Sequence, residues 1–222
     1  MTERMLPTAR FIDVDTAGLL AHVRDNAPVG HGLNYEDLIP ARFLDCEFTD
    51  GPQRELLNLV KPFVASAVED FQEQTGRTAD GIRRLDILKQ DPATDYDSQK
   101  WHRDKLFPGE NLYIAADGQA LTEAAHGPDA FRFTRLPFNF PINGLTNALV
   151  ASGRLEVVTG EPGQTTVMTS GVVHRAGKAG SDPRPSVSVA VYNRGYARSE
   201  LVGKRWEGRH LRRAERHDPY GF

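Results

Sequence analysis

His102 and Asp104 stand two residues apart in the run Gln99-Lys100-Trp101-His102-Arg103-Asp104, and a further histidine, His174, follows 70 residues after Asp104. On a strand, residues i and i+2 point to the same face. That spacing predicts an imidazole and a carboxylate that converge while Arg103 points away. His174 closes a β-like run that begins at Thr165 and supplies a third donor. Two histidines and one carboxylate form the facial ligand set of non-haem Fe(II) sites, which leaves coordination positions open for a chelating acid and O2. His126, in Ala125-His126-Gly127-Pro128, reads as a loop residue, and His31, before the core region, is set aside likewise.

A 2-oxo diacid chelated to such a metal needs a grip on its far carboxylate, best given by a bidentate arginine in a partly buried place. Arg184 lies ten residues after His174 and opens the run Arg184-Pro185-Ser186-Val187-Ser188-Val189. Ser186 shares its face and can donate a second hydrogen bond. Arg175 is a rival for this role. As the direct neighbour of His174 on a strand it should point away from the metal, so Arg184 is preferred.

His102-x-Asp104, His174 and Arg184-x-Ser186 together resemble the pattern of the Fe(II)/2-oxoglutarate-dependent dioxygenase superfamily. The local settings, Trp-His-x-Asp and Val-His-Arg-Ala-Gly, are similar to its small bacterial hydroxylases and its phytanoyl-hydroxylase-like branch. The likeness runs from about Ile82 to Asn193. It implies a mainly β fold with flanking helices, a double-stranded β-helix (jelly roll, cupin-like) with the metal at one open end. It implies that His102, Asp104 and His174 bind Fe(II), and that Arg184 with Ser186 binds 2-oxoglutarate, which O2 converts to succinate as a substrate is oxidised. Related halogenases lack the carboxylate ligand, so Asp104 favours hydroxylation. Lys89, Gln99, Trp101, Tyr113 and Thr122 lie on or near strands expected to line the mouth and are candidates for substrate contact.

The elements that must position these residues follow from periodicity. Asp15 and Thr16 can cap a helix from Ala17 to about Arg24. Gln53 to Gln74 reads as an amphipathic helix through Leu56, Leu57, Val60, Phe63, Val64, Val68 and Phe71, ended by Gly76. Pro62 within it predicts a kink or a split. From Ile82 short β-like runs take over: Ile82–Lys89, Asn111–Ala115, Ala130–Thr134, Arg154–Val158, Thr165–Thr169 and Ser186–Tyr192. The expectation is a single oxygenase domain over 1–222, with a helical N-terminal segment over 1–80, a β-helix core over 81–193 and a basic tail over 194–222.

With 39% hydrophobic and 26% charged residues the chain has a globular composition. The net charge of −3 argues against nucleic acid as a partner. Eight basic residues between Arg194 and Arg216, interleaved with Trp206, form either an anion-binding patch or a solvated segment packed by its aromatics, and the second is preferred. The single cysteine, Cys46, allows no internal disulfide and reads as a small packed residue. With no signal peptide and no membrane span, the expected location is the cytoplasm. The expected substrate is a small molecule, such as an amino acid or a natural-product intermediate. Two alternatives stay open: the same chemistry on a macromolecule, and a cupin-like metal protein or isomerase that works without 2-oxoglutarate.

Overall fold

A computed structural model describes residues 8–49, 53–94, 96–104, 109–117, 121–127, 129–130, 133, 136, 140–177 and 181–193, with 31–37 described by their backbone. The basic tail 194–222 lies outside these residues. Among the described residues, nine strands form two sheets. The large sheet joins β1 (Ala9–Asp13), β2 (Gly30–Leu38), β3 (Gly81–Gln90), β4 (Asn111–Ala116), β7 (Gln164–Thr169) and β9 (Arg184–Tyr192) in the order β1-β7-β4-β9-β3-β2. The small sheet runs β6 (Glu156–Thr159), β5 (Thr122–His126), β8 (His174–Ala176). A single antiparallel bridge from His102 to His174 extends it at the β8 edge.

Every strand pairing is antiparallel. From β3 onward the chain passes back and forth between the sheets: β3 large, His102 small, β4 large, β5 and β6 small, β7 large, β8 small, β9 large. That winding is the double-stranded β-helix, or jelly roll. Leu112, Met168 and Ala190 of the large sheet meet Ala124 of the small sheet and Val172 just before β8, so the two inner faces pack on each other.

The outer face of the large sheet is covered by helices. Residues Leu85, Ile87, Tyr113, Val187, Val189 and Val191 pack there against α1 (Ala17–Asn26), α2 (Pro40–Asp45) and α3 (Arg54–Thr75). Asp15 Oδ1 accepts the Ala17 N–H at the start of α1. In α3 the buried residues Leu56, Leu57, Val60, Phe63, Val64, Ala67 and Phe71 make one stripe, and Gly76 ends the helix at φ 63°. The expected kink or split at Pro62 does not divide α3, which runs unbroken from Arg54 to Thr75. Pro62 sits on the exposed side, where water can serve the carbonyl that its missing N–H leaves behind. Phe63 is 1% and Phe71 0% exposed. Phe71→Ala should therefore cost about 3–5 kcal/mol of stability in urea titration, and a loss under about 1 kcal/mol would contradict this packing.

Two elements differ from expectation. The segment 1–80, read as helical, also supplies β1 and β2, which sit at opposite edges of the large sheet. The strand expected at Ala130–Thr134 is not formed at Ala130 or Phe133, and its other residues lie outside those described. A fourth helix, α4 (Ile142–Ala151), follows instead. It packs with Trp101, Ala125, Phe133, Leu155 and Val173 on the outer side of the small sheet. No helix among the described residues is long and apolar enough to cross a membrane.

Candidate metal centre

The site grows from one pair of backbone hydrogen bonds. His102 N donates to His174 O and His174 N donates to His102 O, each at 2.9 Å. These bonds fix the two residues side by side, with ring centroids 4.3 Å apart and planes inclined by 54°. The strand expected through His102 and Asp104 is thus reduced to one bridge, yet the carboxylate still turns back to the histidines. Arg103 points the other way and donates to the carbonyls of Phe133 and Leu136. Trp101, also adjacent to His102, packs outward: its Nε1 donates to Asn147 Oδ1 of α4 at 3.0 Å, and its backbone N donates to Asn143 Oδ1 at 2.9 Å. Anchoring on both sides of His102 holds the imidazole in place.

One ligand atom from each of His102, Asp104 and His174 can be chosen so that all three lie within 4.8 Å of one another. The Nδ1 atoms are engaged by backbone carbonyls, His102 with Lys100 O at 2.8 Å and His174 with Val172 O at 3.3 Å. With Nδ1 as the donor, each Nε2 keeps its lone pair for a metal, the arrangement typical of ligating histidines. His174 Nε2 lies 3.4 Å from Asp104 Oδ2. The donor set therefore fits a divalent metal with open positions, and its two-nitrogen, one-carboxylate composition is that of non-haem Fe(II).

Electrostatics favour a neutral imidazole at His102 and a carboxylate at Asp104. Burial, and then the charge of His174, push the His102 imidazole below its ordinary value of 6.5. Burial would raise the Asp104 carboxyl, but the hydrogen bond and charge of His174, with Arg84 and His102, outweigh it and hold the group well below the usual carboxylate range. A metal competes with protons for an imidazole. Because the His102 pKa is lowered, acid has to fall below 6.5 before that ligand is lost. Metal affinity should accordingly hold near neutral pH and drop in more acid solution, as followed by metal titration at several pH values. An affinity that stays flat from about pH 7.5 to about pH 3 would argue against imidazole ligation.

The inner face of the large sheet leads away from this triad. In register, β3 and β9 pair Arg84 with Ala190, Asp86 with Ser188, Leu88 with Ser186, and Gln90 with Arg184. Arg184 and Ser186 therefore share the inner face, three and two pairs deeper than Arg84. Arg184 is 4% exposed and Ser186 8%. The Arg184 guanidinium donates to Gln90 Oε1 at 3.1 Å, and Gln90 Nε2 in turn donates to Ser98 Oγ at 2.6 Å. Burial brings the Arg184 pKa down to about 10 against the opposing charge of Asp117, which still leaves it a cation at neutral pH. Arg175 lies on the outer face, paired with Glu123 at 2.6 Å and stacked 4.4 Å over the Trp101 ring.

Of the residues expected at the mouth, the structure brings one to the inner face. Thr122 lies opposite Ala176 in the same register in which Ala124 lies opposite His174, and it is buried. Tyr113 is not at the site: it faces the helices, and its hydroxyl donates to Asp70 Oδ2 of α3 at 2.7 Å. Lys89 is on that same side, its Nζ donating to Ala27 O at 3.1 Å. Trp101 packs under α4, and Gln99 accepts the Tyr96 N–H within a 3-10 turn (Asp97–Gln99). Strand parity explains the first two, since odd-numbered positions on β3 and β4 look outward. His126 ends β5, exposed, and His31 is on β2.

Sequence reasoning missed Arg84, Asp86 and Gln90. Arg84 Nη2 lies 3.4 Å from Asp104 Oδ2, and Arg84 Nε lies 2.8 Å from Asp86 Oδ2. A bulge between Ile82 and Arg84 sets the register of this end of β3. The alternation Arg84, Asp86, Leu88, Gln90 was available as a signal, but the wholly outward apolar set Leu85, Ile87 reads more strongly.

No protein-family model and no curated protein matches the chain. Solved structures do resemble it. AviO1 from Streptomyces viridochromogenes is 13% identical, with 86% of this chain and 92% of that one covered and a TM-score of 0.48. The apo form of the Kdo hydroxylase KdoO, a non-heme Fe(II) alphaketoglutarate-dependent dioxygenase, is 11% identical over 91% of this chain and 88% of its own, with a TM-score of 0.47. The dioxygenase for auxin oxidation 1 from Arabidopsis thaliana, in complex with 2-oxoglutarate, is 12% identical over 83% of each chain, with a TM-score of 0.46. At these identities the chemistry of this chain has to be read from its own side chains.

Proposed function

We propose that this chain is an Fe(II)/2-oxoglutarate-dependent oxygenase, formed as a single domain over 1–222, that hydroxylates a small molecule such as an amino acid or a natural-product intermediate. The observation that carries this reading is the pairing of two features on the facing inner sides of the two sheets. In the His102–Asp104–His174 donor set both Nδ1 atoms are engaged by backbone carbonyls, which leaves Nε2 as the nitrogen for a metal, and a buried arginine, Arg184, lies further along the inner face of the large sheet. A buried guanidinium on that face suits the distal carboxylate of a 2-oxo diacid, which it can meet with two parallel charge-assisted hydrogen bonds.

In this reading His102, Asp104 and His174 hold Fe(II), and Arg184 with Ser186 receives the C5 carboxylate of 2-oxoglutarate. Iron and 2-oxoglutarate together supply the activation of O2, coupled to decarboxylation of the 2-oxo acid to succinate and oxidation of the substrate. The chain itself does the positioning. Lys100 O and Val172 O fix the imidazole orientations. Gln90 holds the Arg184 fork. Leu112, Met168 and Val172 pack between the two sheets and keep water from that part of the interior. Asp104 keeps the carboxylate ligand in place and so favours hydroxylation over halide transfer.

The test is a succinate assay. Protein supplied with Fe(II), 2-oxoglutarate and O2 should release succinate above the protein-free level even without substrate, and more with a panel of small amino acids and natural-product precursors. No succinate under any of these conditions would overturn the proposal.

A further inference from the structure

Arg84 has no part in the oxygenase reading so far, yet it is the cation nearest the triad among the contacts described. Its Nη2 lies 3.4 Å from Asp104 Oδ2, and that same oxygen lies 3.4 Å from His174 Nε2. Oδ2 is thus the oxygen turned to the metal position. The guanidinium therefore lies beside the His102–Asp104–His174 group that would receive a metal and its chelating acid. Asp86 Oδ2 lies 2.8 Å from Nε, an ion pair beside the stem of the fork. The opposite edge of the guanidinium carries the donors that can meet a carboxylate in parallel. Ala190 stands directly across on β9.

Placement along the sheet points the same way. Arg84 is at the triad end of the inner face, and Arg184 is three paired positions deeper. 2-Oxoglutarate carries a carboxylate at each end. Once a metal neutralises Asp104, the Arg84 fork loses the attraction that now turns it to that carboxylate, and a second anion at the metal would take its place.

We infer that Arg84 grips the metal-chelating carboxylate of the 2-oxo acid, so that an arginine holds the co-substrate at each end. This rests on the oxygenase reading. The rival role, a counter-ion serving Asp104, Asp86 and Glu110, makes different predictions.

The experiment uses the full chain with Fe(II) in the absence of O2. Binding of 2-oxoglutarate and of pyruvate is followed by the charge-transfer absorption of the 2-oxo acid chelate. Pyruvate has the chelating carboxylate and lacks the distal one. Arg84→Gln should weaken both acids about tenfold or more, whereas Arg184→Gln should weaken 2-oxoglutarate alone. Arg84→Lys, which keeps a point charge and loses the fork, should fall between Arg84→Gln and the unaltered protein. Binding of both acids to Arg84→Gln within about threefold of the unaltered protein would overturn the inference. So would loss of 2-oxoglutarate binding with pyruvate unaffected, or failure of Arg84→Gln to take up Fe(II), since Arg84 would then act through Asp104. If the unaltered protein shows no chelate absorption at all, the oxygenase reading fails as well, a result distinct from any confined to Arg84.

Discussion

His174→Ala should abolish Fe(II) uptake and, with it, 2-oxoglutarate turnover. The imidazole is 4% exposed, its Nδ1 is engaged by Val172 O, and its Nε2 stands 3.4 Å from Asp104 Oδ2. Loss of a group that merely orients a ligand costs about 10–100-fold in metal affinity or activity, and loss of a ligand itself should exceed that. The backbone bridge to His102 survives the substitution because it uses main-chain atoms, so His102 and Asp104 should remain in place without their partner. Equilibrium metal titration is the direct readout. His126→Ala serves as the comparison, because His126 lies at the exposed end of β5, outside the triad. Iron affinity unchanged in His174→Ala, or reduced equally in His126→Ala, would remove His174 from the metal centre.

Arg184→Gln should raise the 2-oxoglutarate requirement on the order of 100-fold, on the basis that two charge-assisted hydrogen bonds are each worth about 1.5–3 kcal/mol. Arg184→Lys should recover some of the loss through its charge but not through the fork. Stability separates this from a structural role. A buried guanidinium bears a desolvation cost, and its replacement by a neutral side chain of similar reach is often tolerated by the fold. Arg184→Gln should therefore unfold at nearly the same urea concentration as the unaltered protein while its 2-oxoglutarate dependence moves. Arg175→Gln should leave that dependence alone, because Arg175 is engaged on the outer face by Glu123 and Trp101. An unchanged 2-oxoglutarate dependence in Arg184→Gln, or a large change in Arg175→Gln, would exchange the two assignments.

Much of this protein is legible in its sequence because it depends on local chemistry. The period of apolar residues from Leu56 to Phe71 specifies α3 whatever the rest of the chain does, and Gly76 ends it at positive φ. His102, Asp104, His174 and Arg184 can be picked out by residue type and spacing, since their chemistry has few bland uses in that combination. Parity alone turns Arg175 away from His174, and in the structure Arg175 meets Glu123 and the Trp101 ring.

Tertiary structure decided what lies across from what. Lys89 and Tyr113 have the composition of site residues, but strand pairing turns them to the helices, where Ala27 O and Asp70 receive them. Trp101 precedes a ligand by one residue and is carried outward for that reason, to Asn147 on a helix whose position no local pattern announces. β1 and β2 join the large sheet as edge strands from a segment that reads as helical, because pairing partners 150 or more and about 50 residues away complete them. Arg84 shows the limit most clearly. Its place beside Asp104 depends on a one-residue irregularity in β3 and on a loop that returns Asp104 to that strand. Residue type and periodicity identify ligands and elements because they are properties of short stretches. The surroundings of the His102–Asp104–His174 group are set by register between strands distant in sequence, and that is fixed only when the two sheets close on each other.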